Sequence, residues 1–385
     1  MGKKIVWLYP KLEKWMGGTR YVFECCKKLK EQYELLVVCQ KGTDLVLSEF
    51  INNGIKVINL NSKSFTDMDF WLLFYKNLDS DLQEIKKFIN TDDVLISAMF
   101  PMNIIASKFT NKHVQIIYEP FAFFFDNEFI TSFGKDKVIF FKIMKYLYSK
   151  VDIVATKSSN RFLTLSNYEK NRIREIYGVE AAVIYEGIDT NFFKPRDTSY
   201  LSQKYSDVFP IMHSTGFDTF KGTDLVINSL PLLKECIPNF KLFITYTREN
   251  KKKLYYYKNF IKKNKLDLNV EFLGLLPYNK LPEYYSFSKF YLEPGKNRSM
   301  SLSNKEALAC GIPVIRGNDS SEEVIDGFNG FLINPNSVDE LVNKIMIYFK
   351  DKQKYEYVKS NSRKSITDKF TWEKVVGKII NSIEE

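Results

Sequence analysis

The chain has 385 residues, 45% hydrophobic and 26% charged, with a formal net charge of +10 at pH 7. That length allows two ordinary domains, each with its own core, and the composition is that of a soluble globular protein. No apolar run nears the roughly 18 residues needed to span a bilayer, and no zinc finger, RNP motif or arginine-rich arm points to nucleic acid.

Taken in chain order, Ile5 to Tyr9 reads as a first buried strand, too short an apolar stretch for a secretion signal, so a cytoplasmic location is expected. Further strands are predicted at Glu34 to Cys39, Ile55 to Leu60, Val94 to Ala98, Val114 to Tyr118, Ile153 to Thr156 and Ala182 to Tyr185. Near-continuous apolar strands suit a parallel sheet buried on both faces. Helical stretches lie between them, including Thr19 to Lys30 and Phe70 to Ile89. The alternation restarts at Pro210 and continues through Phe240 to Thr245, Val270 to Leu275, Phe290 to Leu292, Val314 to Ile315 and Gly330 to Ile333. The expectation is an α/β chain of two Rossmann-like domains.

Cys25, Cys26, Cys39, Cys236 and Cys310 are odd in number and lack zinc spacing, as reduced core cysteines do. No His/Cys/Asp cluster has metal-ligand spacing, so no metal or cofactor is expected. The positive charge reads either as composition bias or as attraction to an anionic partner: a nucleotide diphosphate or a membrane leaflet.

The most informative stretch runs from Glu293 through Pro294, Arg298, Ser301 and Leu302 to Glu306 and Cys310, closing on Gly311, Pro313 and Val314. It reads as a strand ending at Glu293, a polar loop, a helix starting near Ser301 to Ser303, and a next strand. A helix start after a strand presents unpaired N–H groups and the positive dipole end, which suits phosphate. Glu306, placed in the first turn, can accept hydrogen bonds from sugar hydroxyls.

This unit resembles the nucleotide-sugar site of the family 4 retaining glycosyltransferases. Their fold is GT-B: two Rossmann-like domains facing across a cleft, with the C-terminal helix crossing back to the N-terminal domain. Pro294 and the run from Glu306 to Val314 match the family pattern; Arg298 stands where the family has its first glutamate. The interdomain segment from Val183 to Pro195 and the terminal Phe370-Thr371-Trp372-Glu373 resemble family segments too. The resemblance implies an N-terminal, acceptor-side domain at 1–190 completed by a helix at 369–385, and a nucleotide-sugar domain at 191–368.

The same resemblance assigns roles. Gly216 and Lys221 lie in a loop that grips the diphosphate in the family, with Phe217 where an arginine is usual. Ser301 and Leu302 open the site helix, Glu306 holds the donor ribose, and Leu275, after Gly274, contacts the base. Gly17 and Gly18 after the first strand are either a plain turn or a close backbone approach to phosphate or sugar. Arg298 either supplies the cation lost at Phe217 or points to solvent. Glu119 binds an acceptor hydroxyl, acts as a base, or is a surface carboxylate. The run from Phe121 to Phe129 is either a buried element or a wall for the acceptor. The implied activity is a metal-independent, retaining transfer of a sugar from a nucleotide-diphosphate sugar to a glycan or lipid-linked acceptor, with peripheral contact at the inner membrane face. A degenerate subunit that binds a glycan or partner is the alternative.

Overall fold

The computed structural model describes residues 3–131, 133–214, 217, 219–246, 251–295, 301–318 and 322–385. The chain divides into two compact units, Met1–Gly187 with Trp372–Glu385, and Ile188–Thr371.

In the first unit, β1 (Lys4–Leu12), β2 (Glu34–Gly42), β3 (Lys56–Asn59), β4 (Val94–Ala98), β5 (His113–Ile117), β6 (Arg161–Thr164) and β7 (Ala182–Val183) form one sheet in the order β3-β2-β1-β4-β5-β6-β7. Every pairing is parallel. Central β1 and β4 are apolar because helices cover both faces; Ile5, Val6, Trp7 and Leu8 are fully buried. The terminal Trp372–Glu384 helix joins this core, with Trp372 edge-on to Tyr21 at 5.6 Å.

The second unit holds β8 (Phe209–Ser214), β9 (Phe240–Thr245), β10 (Val270–Gly274), β11 (Phe290–Glu293), β12 (Val314–Gly317) and β13 (Gly330–Ile333). Their order is β10-β9-β8-β11-β12-β13, again all parallel. Each sheet reverses its winding once, between β1 and β4 and between β8 and β11. The carboxyl ends of the strands at such a reversal are where open α/β sheets place their ligand sites.

Two expectations fail locally. Ile153 to Thr156 is not a strand but the end of the Lys135–Lys157 helix, and the strand of this region is β6. Asp152, Ala155 and Thr156 are buried while Val154 is exposed, a helical rather than alternating pattern. The helix expected from Phe70 to Ile89 breaks at Leu73 into Met68–Leu72 and Phe74–Lys86.

Candidate functional site

At the reversal of the second sheet, the loop after β8 meets the loop after β11. Their backbones touch: a Cβ on Gly222, whose φ is +81°, would lie 2.5 Å from the Gly295 nitrogen. Only glycine allows that approach and that φ together. The contact sets Lys221 beside the end of β11. Its Nζ lies 3.0 Å from Glu293 Oε1 and donates to Ser301 Oγ at 2.8 Å. Ser301 Oγ in turn donates to Glu293 Oε2 at 2.8 Å. Ser301 is the N-cap of the Leu302–Ala309 helix, yet its hydroxyl caps no N–H there. The hydroxyl is committed to Glu293, so that helix start has no side-chain cap, the condition under which an anion binds well.

Beneath this lies a buried ionic network. Arg316, at the end of β12, contacts Glu323 closely and Glu293 at 3.5 Å, and all three side chains are fully buried. Glu323 accepts from the Ser301 N–H and from Asn304 Nδ2, each at 3.0 Å. Burial alone would raise the Glu323 carboxyl; Arg316 and these donors more than reverse that and hold it below its ordinary value. The network braces the helix start at Ser301 and Asn304. Glu306 is the fifth residue of that helix, in its second turn rather than its first, and its Oε2 accepts from the buried Tyr285 hydroxyl at 3.0 Å.

The structure thus brings together Lys221, Ser301, Leu302 and Glu306 in one unit. Leu275 follows β10 in the same unit, 79% exposed. Phe217 is buried, stacked on Tyr246 at 5.2 Å and edge-on to Tyr257 at 5.1 Å, so this position serves the core. His213 is buried between the Leu292 carbonyl and the Thr223 hydroxyl, and burial pushes its imidazole down to about 4. Gly216 and Arg298 lie outside the described residues. Sequence reasoning passed over Glu293, Tyr285, Asn304, Arg316 and Glu323. A carboxylate ending the apolar run Phe290 to Leu292, and an arginine ending Val314 to Ile315, were the available signals: charges inside buried strands need partners.

In the first unit, Gly17 and Gly18 open the Gly17–Leu29 helix, whose N-cap Met16 offers no capping side chain. A Cβ on Gly18 would strike the Tyr9 hydroxyl and lie 3.3 Å from the Tyr118 ring, so glycine seats this helix start on two tyrosines. Tyr118 and Glu119 follow β5 and line a cavity of about 210 Å³. Phe100, Phe121, Phe123 and Phe129 wall it, which gives the aromatic run a place in both the core and a pocket. Asp152 and Asn103 supply polar lining: Asp152 accepts from Asn103 at 2.7 Å and from Tyr177 at 2.9 Å, and burial pushes its carboxyl up to about 6. Glu119 is open to solvent but crowded by protein, which raises its carboxyl; Arg172 opposes the shift and Asp126 adds to it. Glu169, paired with Arg172 at 3.2 Å, is raised by burial to about 7. Among the described residues no group of three or more His, Cys, Asp or Glu is placed to hold a metal ion.

Comparison with known proteins agrees with this layout. Residues 203–365 match the family Glycosyl transferases group 1. An uncharacterized glycosyltransferase of Methanocaldococcus jannaschii is 26% identical over 347 residues, covering 84% of this chain and 92% of the relative. A second one from the same organism is 21% identical and covers 94% and 93%. The Anabaena protein HepE, solved in complex with UDP and glucose, superposes with a TM-score of 0.76 at 18% identity over 99% of both chains. With its two parallel sheets the chain has the GT-B fold of these solved neighbours, and residues 203–365 carry the match to the Glycosyl transferases group 1 family.

Proposed function

We propose that this enzyme transfers a sugar, with retention, from a nucleotide-diphosphate sugar to a glycan or lipid-linked acceptor in the cytoplasm. The observation that carries the reading is the meeting of Lys221 with the uncapped helix start at Ser301 and Leu302, on the helix that also carries Glu306, at the sheet reversal. The similarity to a protein solved with UDP and glucose supports it.

In this reading Lys221 and the helix N–H groups hold the diphosphate, with Gly216 and Arg298 on the same loops; Glu306 accepts from the ribose hydroxyls, and the backbone at Leu275 meets the base. Gly17 and Gly18 open a helix start whose backbone can approach a phosphate or sugar closely. The acceptor oxygen attacks the anomeric carbon on the face from which the diphosphate departs. The bond from that carbon to the phosphate oxygen breaks, its electron pair goes to the diphosphate, and the diphosphate takes the acceptor's proton. The protein's part is to stabilise the growing charge and to position both substrates. Glu119 orients an acceptor hydroxyl at the rim of the aromatic cavity. No metal or cofactor takes part.

The test is a screen of nucleotide sugars for thermal stabilisation and hydrolysis, followed by NMR of the product's anomeric configuration. Stabilisation by a nucleotide sugar and product of unchanged configuration support the reading. Inversion refutes retention, activity lost in EDTA and restored only by a divalent ion refutes metal independence, and no response to any nucleotide sugar refutes the donor class.

A further inference from the structure

The proposed reaction uses only the Glu119 rim of the cavity after β5. The buried end of that cavity is polar: Asp152, Asn103 and Gln115 line it, all three buried. Their donors are spent on one another and on their neighbours. Asn103 Nδ2 donates to Asp152 Oδ1 at 2.7 Å and to the Thr156 hydroxyl at 3.1 Å. The Tyr177 hydroxyl donates to Asp152 Oδ2 at 2.9 Å, and Gln115 Nε2 donates to Thr156 at 3.3 Å. What remains is acceptor capacity. Asn103 Oδ1 is buried and accepts no hydrogen bond among the described residues, and each carboxylate oxygen of Asp152 can take more than one donor.

Asp152 is also a charge without a counter-charge. Among the described residues no cation pairs with it. Three carboxylates, Asp152, Glu119 and Asp126, line the cavity, and no described lysine, arginine or histidine does. The cations nearby are paired with other carboxylates: Arg172 with Glu169 at 3.2 Å, and Lys11, 5.9 Å from the centre of the Phe65 ring, with Glu13 at 2.6 Å. A buried carboxylate left in this state costs stability until a cation meets it. The walls are phenylalanines. Phe100 and Phe121 stack at 4.5 Å, and Phe123 meets Phe129 edge-on at 5.1 Å. Ring faces attract a cation and ring bodies take apolar groups. Glu119 and Phe129 are exposed, so the mouth opens on their side.

We propose that this cavity binds a small primary amine in its ammonium form, the ammonium at Asp152 and Asn103 and an apolar or aromatic body among the phenylalanines. An –NH3+ group has three donors and no acceptor, which matches a polar end that offers acceptors alone. A sugar ring would bring acceptor oxygens to donors already spent. A neutral apolar ligand would leave Asn103 Oδ1 and the Asp152 charge unmet. A quaternary ammonium would meet the charge but donate nothing to Asn103. The inference goes beyond the proposed reaction and rests on no step of it.

The experiment titrates the full chain with benzylamine, benzyl alcohol and benzyltrimethylammonium near pH ~7.5, read by calorimetry and by the rise in melting temperature. The alcohol lacks the charge and the quaternary ion lacks N–H donors, so benzylamine should bind about tenfold or more tightly than either. At about pH 5 it should bind about tenfold less tightly, because Asp152, raised to about 6, takes up a proton while the amine stays charged. Glu169 and Glu119 are raised too and act in the same sense; Tyr177, raised by burial and by Asp152, keeps its proton. His113, behind Gln115 through the Ser159 hydroxyl, is held down to about 4 by burial and stays neutral. Asp152→Asn should weaken benzylamine about tenfold or more and remove most of the pH effect, and Phe123→Leu should weaken it about threefold. No benzylamine binding near neutral pH, equal binding of benzyl alcohol or of benzyltrimethylammonium, or equal affinity at both pH values overturns the proposal. Those arms use the wild-type chain, so they decide it even where Asp152→Asn fails to fold. A folded Asp152→Asn protein with wild-type affinity overturns it as well, by placing the amine elsewhere.

Discussion

Lys221→Ala tests the donor site most directly. The lysine holds two partners, Glu293 at 3.0 Å and Ser301 at 2.8 Å. Its removal does not strand Glu293, which keeps the Ser301 hydroxyl at 2.8 Å and Arg316 at 3.5 Å. The fold should therefore survive with a loss of about 1–3 kcal/mol, the range for one partly buried charge-assisted bond. Binding should suffer separately. A cation donating to a diphosphate oxygen contributes about 1.5–3 kcal/mol, which is roughly a ten- to 150-fold weaker Kd. Isothermal titration with UDP, ADP and GDP, beside urea unfolding of the same protein, reads both quantities. Lys221→Arg keeps the charge but not the compact ammonium, and should fall between wild type and alanine. A folded Lys221→Ala protein that binds every nucleoside diphosphate within twofold of wild type refutes the assignment. In that case the lysine serves only to neutralise Glu293.

Arg316→Met removes the buried cation between Glu293 and Glu323 and should cost about 3–5 kcal/mol in chemical unfolding, because it leaves a buried carboxylate uncompensated; a loss under about 1 kcal/mol refutes the network's role. Asp152 is raised from 3.8 to about 6, so the native state binds the proton more tightly than the unfolded chain. Its destabilising effect, on the order of 3 kcal/mol, is absent below pH 4, grows as pH rises through the 4–6 window and is complete above it. Asp152→Asn should flatten stability across that window, and an unchanged pH profile by calorimetry refutes the shift. Gly187→Ala would place a Cβ 2.5 Å from the Trp372 ring; overpacking of about 1–3 kcal/mol should appear as a lower melting temperature, and an unchanged melting temperature refutes that packing.

Some of this was legible in residue patterns. The strand from Ile5 to Leu8 is apolar at every position because both its faces are covered, and a continuous run of that kind reads the same in sequence and in structure. The run from Glu306 to Val314 showed a helix, its end at Cys310 and Gly311, and the next strand, because turn and helix chemistry is local. The region from Ile153 to Thr156 misled because four residues of β-branched and small side chains do not reveal their period. Only the longer Lys135–Lys157 helix, packed by Met144 and Ala155, sets it. Phe217 looked like a lost arginine in a phosphate loop, and its ring is part of an aromatic stack with Tyr246 and Tyr257.

The residues by themselves determined the two α/β sheets, the parallel grammar and the loop-helix unit that holds Ser301 and Glu306. Each rests on interactions between near neighbours: strand runs, a helix start, a glycine turn. Tertiary structure alone decided that Lys221 meets Glu293 and Ser301 across about eighty positions of chain, that Arg316 and Glu323 brace them from below, and that Asp152, Asn103 and Tyr177 share one cavity with the phenylalanines after β5. The physical reason is that a buried charge is tolerated only beside a partner. That partner is chosen by the order of strands in the sheet, which brings distant segments together and which no local pattern of residues records.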